Sequence, residues 1–134
     1  MSPNPTFAEV AEGVRATVAA YALALDDGRT DDIVATFCPD GIVDIPGLGV
    51  HEGHDALRAA FARVVPRRPQ RHLVVNTLVT DWSATEARAL SDLVFLLQGA
   101  DGWAVQLVGR YHDTFHPADG GRWLIHHRVG EFVT

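Results

Sequence analysis

Phe7, Val10, Val14, Val18, Tyr21 and Leu25 recur at steps of three and four, which places them on one stripe of a helix that faces a core. Thr6-Phe7-Ala8-Glu9 has the spacing of a capping box ahead of that run, and Gly28 can take the left-handed conformation that ends it near Asp27. Residues 1 to 5 read as a loose lead-in. Thr30 is placed to cap a short second helix reaching Phe37, with Asp31 and Asp32 at the positive end of its dipole. Asp40-Gly41 then turns the chain into a brief strand over 42–45, followed by a loop marked by Pro46, Gly47 and Gly49. A third helix is predicted from about His54 to Val64, with Ala56, Leu57, Ala60, Phe61 and Val64 on its apolar side. After Pro69 the period changes, and four strand-like segments follow at about 71–80, 86–97, 103–116 and 122–132, an antiparallel meander.

Helices first and strands afterwards predict an α+β fold, with helices laid on one face of the sheet, and not alternating βαβ units. At 134 residues the chain is expected to form one domain over 1–134. Several strands are apolar on both faces: Leu73, Val75 and Val79 alternate against Val74 and Leu78. One face is expected to line a pocket or core and the other to be covered by a second copy, as a homodimer or higher homo-oligomer.

Charge narrows the partners. The formal net charge of -6 argues against nucleic acid, which requires cationic side chains along the phosphate backbone. All 11 cationic residues are Arg, so lysine Schiff-base chemistry is excluded. Arg67, Arg68 and Arg71, broken by Pro69, read as a solvated loop. The single Cys38 forms no intramolecular disulfide, follows Phe37 at the end of an apolar run, and fits a small buried hydrophobe in a cytoplasmic protein. No basic region precedes a long apolar stretch, and no segment approaches membrane-spanning length.

Within this frame a few polar residues stand on apolar faces. Tyr21 lies in the first helix's apolar stripe, so its hydroxyl needs either a backbone partner or a ligand carbonyl. His72 and Asn76, at i and i+4 of one predicted strand, share a face with Val74 and Leu78 and suggest a pocket wall. An imidazole there can take a proton next to a carbonyl and return it to a departing hydroxyl. Tyr111 and Asp113 alternate with Leu107, Gly109 and Phe115, which makes them candidate binding residues; Asp113 is either a second acid or the partner of Arg110 or Arg128. His51, His54, His112, His116, His126 and His127 invite a metal hypothesis, but His126 and His127 point to opposite faces and Gly53 separates His51 from His54. No metal is expected.

Ala20-Tyr21-Ala22-Leu23-Ala24-Leu25-Asp26-Asp27-Gly28, Asp31-Asp32-Ile33-Val34-Ala35-Thr36-Phe37, Arg71-His72 with Asn76, Gly109-Arg110-Tyr111-His112-Asp113 and Gly121-Arg122-Trp123-Leu124-Ile125 with Arg128 together resemble the SnoaL-like family over nearly the whole chain. The resemblance implies the nuclear transport factor 2-like cone, in which a long first helix and a strongly bent sheet enclose one pocket. Within that superfamily the chain is similar to scytalone dehydratase and bile acid 7α-dehydratase, whose helix-borne Tyr, helix-end Asp and strand His fall on Tyr21, Asp26 and His72. The strand that carries a second pocket His in scytalone dehydratase reads Leu93-Val94-Phe95-Leu96-Leu97 here. Similarity to ketosteroid isomerase brings in Asp44, one residue from the position of that enzyme's general base.

The resemblance implies that Asp26 orients His72, although five residues put Asp26 roughly 140° from Tyr21 on a regular helix. The expected activity is a cofactor-independent dehydratase acting on a hydrophobic cyclic hydroxy-carbonyl compound of polyketide, steroid or terpenoid type. Tyr21, Asp26 and His72 would be catalytic, and Asn76, Tyr111, Asp113 and Asp44 substrate-binding. An isomerase or polyketide cyclase using the same pocket, or a non-catalytic small-molecule-binding or assembly module, are the alternatives.

Overall fold

A computed structural model describes residues 4–133, so residues 1–3 of the expected lead-in lie outside the described residues. Helix α1 spans Phe7–Asp27; the Thr6 hydroxyl accepts from the Glu9 amide at its start, and Gly28 closes it with φ 69°. Val10, Val14, Val18, Tyr21 and Leu25 are buried as their spacing predicts, while Phe7 stays partly exposed against the Trp82 ring. The second helix, α2 (Thr30–Val34), is shorter than predicted. Thr30 is its first residue and Arg29 its cap, with no side-chain cap bond, and Arg29 instead pairs with Asp32.

Phe37 therefore belongs to a strand. β1 (Phe37–Ile45) takes in Asp40-Gly41, predicted as a turn, because an irregularity in its pairing between Phe37 and Ile42 lets the chain bend without leaving the sheet. β2 (Gly49–Glu52), expected as loop, pairs antiparallel with β1. Helix α3 (His54–Ala62) stops two residues short of Val64, with Leu57, Ala60 and Phe61 buried.

The predicted segment 71–80 is two strands, β3 (Gln70–Val74) and β4 (Leu78–Trp82), both on β5 (Ala87–Gly99). Val74 pairs with Leu93 and Leu78 with Leu90. Four steps on one side oppose three on the other, so the side-chain phase reverses between them. Val79, not Leu78, is thereby turned into the core beside Val74. β6 (Gly102–Pro117) and β7 (Trp123–Phe132) complete the antiparallel run, and β7 also pairs parallel with β1. The seven-stranded sheet is thus mixed, in the order β2-β1-β7-β6-β5-β3 with β4 also on β5, and the fold is α+β.

The helices cover one face of the sheet, where Phe37, Phe61, Phe115, Trp123 and Ile125 join the α1 stripe in the core. The opposite face carries Leu73, Leu78 and Val108, all exposed, beside the Arg110–Asp92 ion pair. Cys38 is buried, with its thiol against the Leu124 carbonyl. Among the described residues no helix is long and apolar enough to cross a membrane.

α1 lies close on the start of β7. The Thr17 hydroxyl donates to the Trp123 carbonyl, and a Cβ added at Gly13 would meet Trp123 Cδ1 at 2.6 Å. Alanine at position 13 would gain about 1 kcal/mol of helix propensity. Overpacking a ring that cannot move costs about 1–3 kcal/mol, and Trp123 is buried. Gly13→Ala is therefore expected to lower the urea midpoint, and a raised midpoint would show that α1 can lift away from the ring.

Candidate active site

The cavity between α1, α3 and the sheet has a volume of 250 Å³ and is walled mainly by Leu25, Ile45, Phe61, Leu93, Phe95 and Leu107. Five polar residues line this apolar cavity: Gln70 and His72 from β3, Tyr21 from α1, Tyr111 from β6 and, from β7, Glu131, whose carboxylate is paired with His112. A larger groove of 770 Å³ lies along α1, lined by Ala8, Gly13, Ala16, Thr17 and Ala20 together with charged residues that include Glu9, Glu12, Asp32 and Arg122.

On the β3 side, Asp26 stands behind His72. Asp26 Oδ1 is 2.7 Å from His72 Nδ1 and accepts from Gln70 Nε2 at 3.2 Å, while Oδ2 accepts from the His72 backbone amide at 2.7 Å. An acceptor opposite Nδ1 calls for a proton on that nitrogen, which makes Nε2 the basic atom of the neutral ring. Nε2 has no hydrogen-bond partner among the described residues. The ring is fixed in plane by Phe95, stacked at 4.4 Å and 21°.

The opposite wall is built on a buried ion pair. Arg128 donates from Nε and Nη2 to the two carboxylate oxygens of Asp113, each at 2.8 Å, with both side chains fully buried. Its guanidinium carbon lies 3.8 Å from the Tyr111 ring centre and 4.3 Å from that of Tyr21. The third nitrogen, Nη1, is the one sealed side-chain polar atom without a partner among the described residues. Burial opposes the charge on Arg128, but the Asp113 charge and its two hydrogen bonds outweigh it and raise the Arg128 pKa. Burial raises the Tyr21 pKa, with the Arg128 charge pulling the other way. Burial also raises the Tyr111 pKa well above its ordinary value, with Tyr21 adding to the effect. Both phenols are therefore held neutral, and they are hydrogen-bond partners of each other.

Tyr21 and His72 line the same cavity, and Asp26 is in hydrogen-bond contact with His72. Tyr111 lines the cavity, whereas Asp113, predicted as a binding residue, does not: it is buried as the partner of Arg128, not of Arg110. Two further predicted binding residues lie elsewhere. Asn76 is exposed in the crossing between β3 and β4, where its amide bonds the side chain and backbone of Asp92; the break in the predicted strand removes it from the His72 face. Ile45 lines the cavity, so its neighbour Asp44 points to the other side of β1. Gln70 and Phe95 were not singled out by the sequence, although Gln70 is two residues before His72 and shares its face by the strand period alone.

Among the described residues no three metal-ligating side chains converge. His51 and His54 bond the carbonyls of Leu48 and Phe37, and His116 stacks on His126 at 4.1 Å.

Helices on one face of a curved mixed sheet, closed around an apolar cavity, define the nuclear transport factor 2-like, or cystatin-like, class of fold. Residues 7–129 match the SnoaL-like domain model, and the chain belongs to that family. Its fold is similar to that of a Mycobacterium tuberculosis protein of unknown function, 26% identical with a TM-score of 0.82, covering 90% of this chain and 69% of that one. It is similar also to a Novosphingobium aromaticivorans protein named as a candidate aromatic ring hydroxylase, 21% identical with a TM-score of 0.84, covering 97% and 93%. Another protein of that organism, named as a candidate scytalone dehydratase, is 21% identical with a TM-score of 0.79, covering 92% and 83%. These two likenesses show the fold alone. No curated protein matches the sequence significantly.

Tyr21 and Tyr111 are the only tyrosines of the chain, so phenol ionisation reads this wall directly. With folded pKa values above the unfolded value of about 10, they contribute stability that is fully present below that pH and is lost as pH rises through the folded values. An alkaline titration followed at the phenolate absorbance should stay flat through about pH 10 and rise only together with loss of tertiary circular dichroism. A phenolate rise near the ordinary value in the folded protein would contradict the buried, neutral assignment.

Proposed function

We propose that this protein is a cofactor-independent dehydratase that removes water from a small cyclic β-hydroxy ketone or a close chemical relative. The observation that carries the reading is the Asp26–His72 pair, which leaves a basic Nε2 on the wall of an apolar cavity whose opposite wall holds two neutral phenols.

In this reading Tyr21 donates a hydrogen bond to the substrate carbonyl, and His72 Nε2 takes the proton from the carbon next to it. The electron pair moves onto the carbonyl oxygen, where the phenol and the field of Arg128 stabilise the enolate. Asp26 stabilises the imidazolium formed at the same moment. The enolate then re-forms the carbonyl as the β carbon–oxygen bond breaks, and Nε2 returns its proton to the departing hydroxyl. Water leaves, the enzyme is restored, and no oxidant or cofactor enters the balance.

Size sharpens the substrate class. A volume of 250 Å³ lies below the ~300–1,000 Å³ of cavities that enclose drug-sized ligands. It favours one- or two-ring compounds of polyketide or terpenoid kind over a four-ring steroid. An isomerase or cyclase would draw on the same base and phenol and differs in its product.

The test is turnover of simple β-hydroxy ketones, for which 3-hydroxy-1-tetralone is a convenient probe because its dehydration yields 1-naphthol. Wild type should accelerate naphthol formation, and His72→Ala should lower kcat by about 10²–10⁴-fold, the usual contribution of a positioned acid/base, while still binding 1-tetralone. Equal rates in wild type and His72→Ala would remove His72 as the base; binding without turnover by either would favour a binding module.

A further inference from the structure

Gln70 sits at the start of β3, buried, with its side chain between Asp26 and the cavity. An amide has one donating and one accepting end, and a carboxylate can only accept. The contact with Asp26 therefore fixes the orientation: Nε2 faces Asp26, and Oε1 is turned away from it. No hydrogen bond among the described residues reaches Oε1, and Oε1 is not among the sealed atoms without a partner, so it keeps accessible surface, on a residue that lines the cavity.

Two strand residues spaced by two project from the same face, so Oε1 and His72 Nε2 are neighbouring acceptors on one wall. The other wall offers the Tyr21 phenol as a donor, with the neighbouring Tyr111 phenol hydrogen-bonded to it. The cavity is therefore polarised, with acceptors on the β3 side and a donor on the side of α1. A ligand that satisfies it carries an acceptor at one end and a donor at the other.

We propose that Gln70 is the specificity-determining residue for the substrate's departing hydroxyl, accepting its hydrogen at Oε1. This rests on the dehydratase reading above. A hydroxyl whose hydrogen is held by Oε1 cannot rotate freely, so an oxygen lone pair is presented to the proton that His72 carries after abstraction. Gln70 itself neither gains nor loses a proton. A ligand lacking the hydroxyl covers Oε1 without giving it a donor, whereas a hydroxylated ligand facing an apolar residue 70 leaves a buried donor unpaired.

The test is calorimetric binding of 1-tetralone and 3-hydroxy-1-tetralone in a His72→Ala background, where 1-tetralone has no hydroxyl to lose and dehydration of the other ligand is slowed about 10²–10⁴-fold. Replacing Gln70 by the similarly shaped Met should shift the ratio of the two affinities about tenfold against the hydroxylated ligand, as for one buried hydrogen bond, with 1-tetralone binding not weakened. If Gln70→Met does not fold, Gln70→Asn keeps an amide for Asp26 but draws the oxygen back by one methylene, and should shift the ratio in the same direction. An unchanged ratio, or an equal loss for both ligands, overturns the assignment and leaves Gln70 a support for Asp26 only. The two readings fail separately: absence of turnover in the protein with His72 intact sinks the dehydratase, while an unchanged ratio beside normal turnover sinks only Gln70.

Discussion

A carboxylate in the last turn of a helix faces the negative end of the helix dipole, which is the least favourable place for it on that element. Asp26 occupies such a position in α1, and it is held there by donors from β3: the His72 backbone amide, the His72 ring and the Gln70 amide. The same three contacts tie the end of the long helix to the sheet, fix the ring tautomer of His72 and set the direction of the Gln70 amide. A structural joint and a chemical device are here one set of hydrogen bonds.

The second fixed point is the Arg128–Asp113 pair, which carries a charge into the interior under Tyr21 and Tyr111. A buried pair gains little stability over apolar residues of the same size, whereas losing one partner costs about 3–5 kcal/mol. Its value to this fold is better sought in what it does to its neighbours. It places a positive charge beside the phenols, where the proposed reaction develops negative charge on a bound ligand, in a setting with little water to screen it. The cavity thus has a basic wall and an electrophilic wall, each fixed from behind by a carboxylate that does not itself line the space.

The α1 stripe was legible because a helix of 21 residues repeats its period long enough to read, and the inward phase of His72 because it lies in β3, ahead of the break. Asp26 was legible only through family resemblance, since its angle from Tyr21 looked wrong for one pocket. The geometry explains the angle: Tyr21 faces the cavity while Asp26 faces β3, so the two should diverge. Asn76 was misplaced because the break between β3 and β4 inserts one extra step against β5, and a period of two loses its phase at a single insertion. Gln70 had a signal in its spacing from His72, but a glutamine at a strand start has no chemistry of its own until its partner is known. The Arg128–Asp113 pairing was among the alternatives in the sequence; choosing it over Arg110 required knowing that Asp113 and Arg128 are directly opposed across β6 and β7.

The central claim is that Asp26 holds His72 with its proton on Nδ1 and its lone pair on the cavity side. Long-range nitrogen–proton correlation spectra of protein with labelled histidine, with His72 assigned by difference from His72→Gln, report that tautomer directly. In wild type the neutral form of the His72 ring is expected to carry its proton on Nδ1, with that preference lost in Asp26→Ala. A wild-type ring protonated at Nε2 would contradict it.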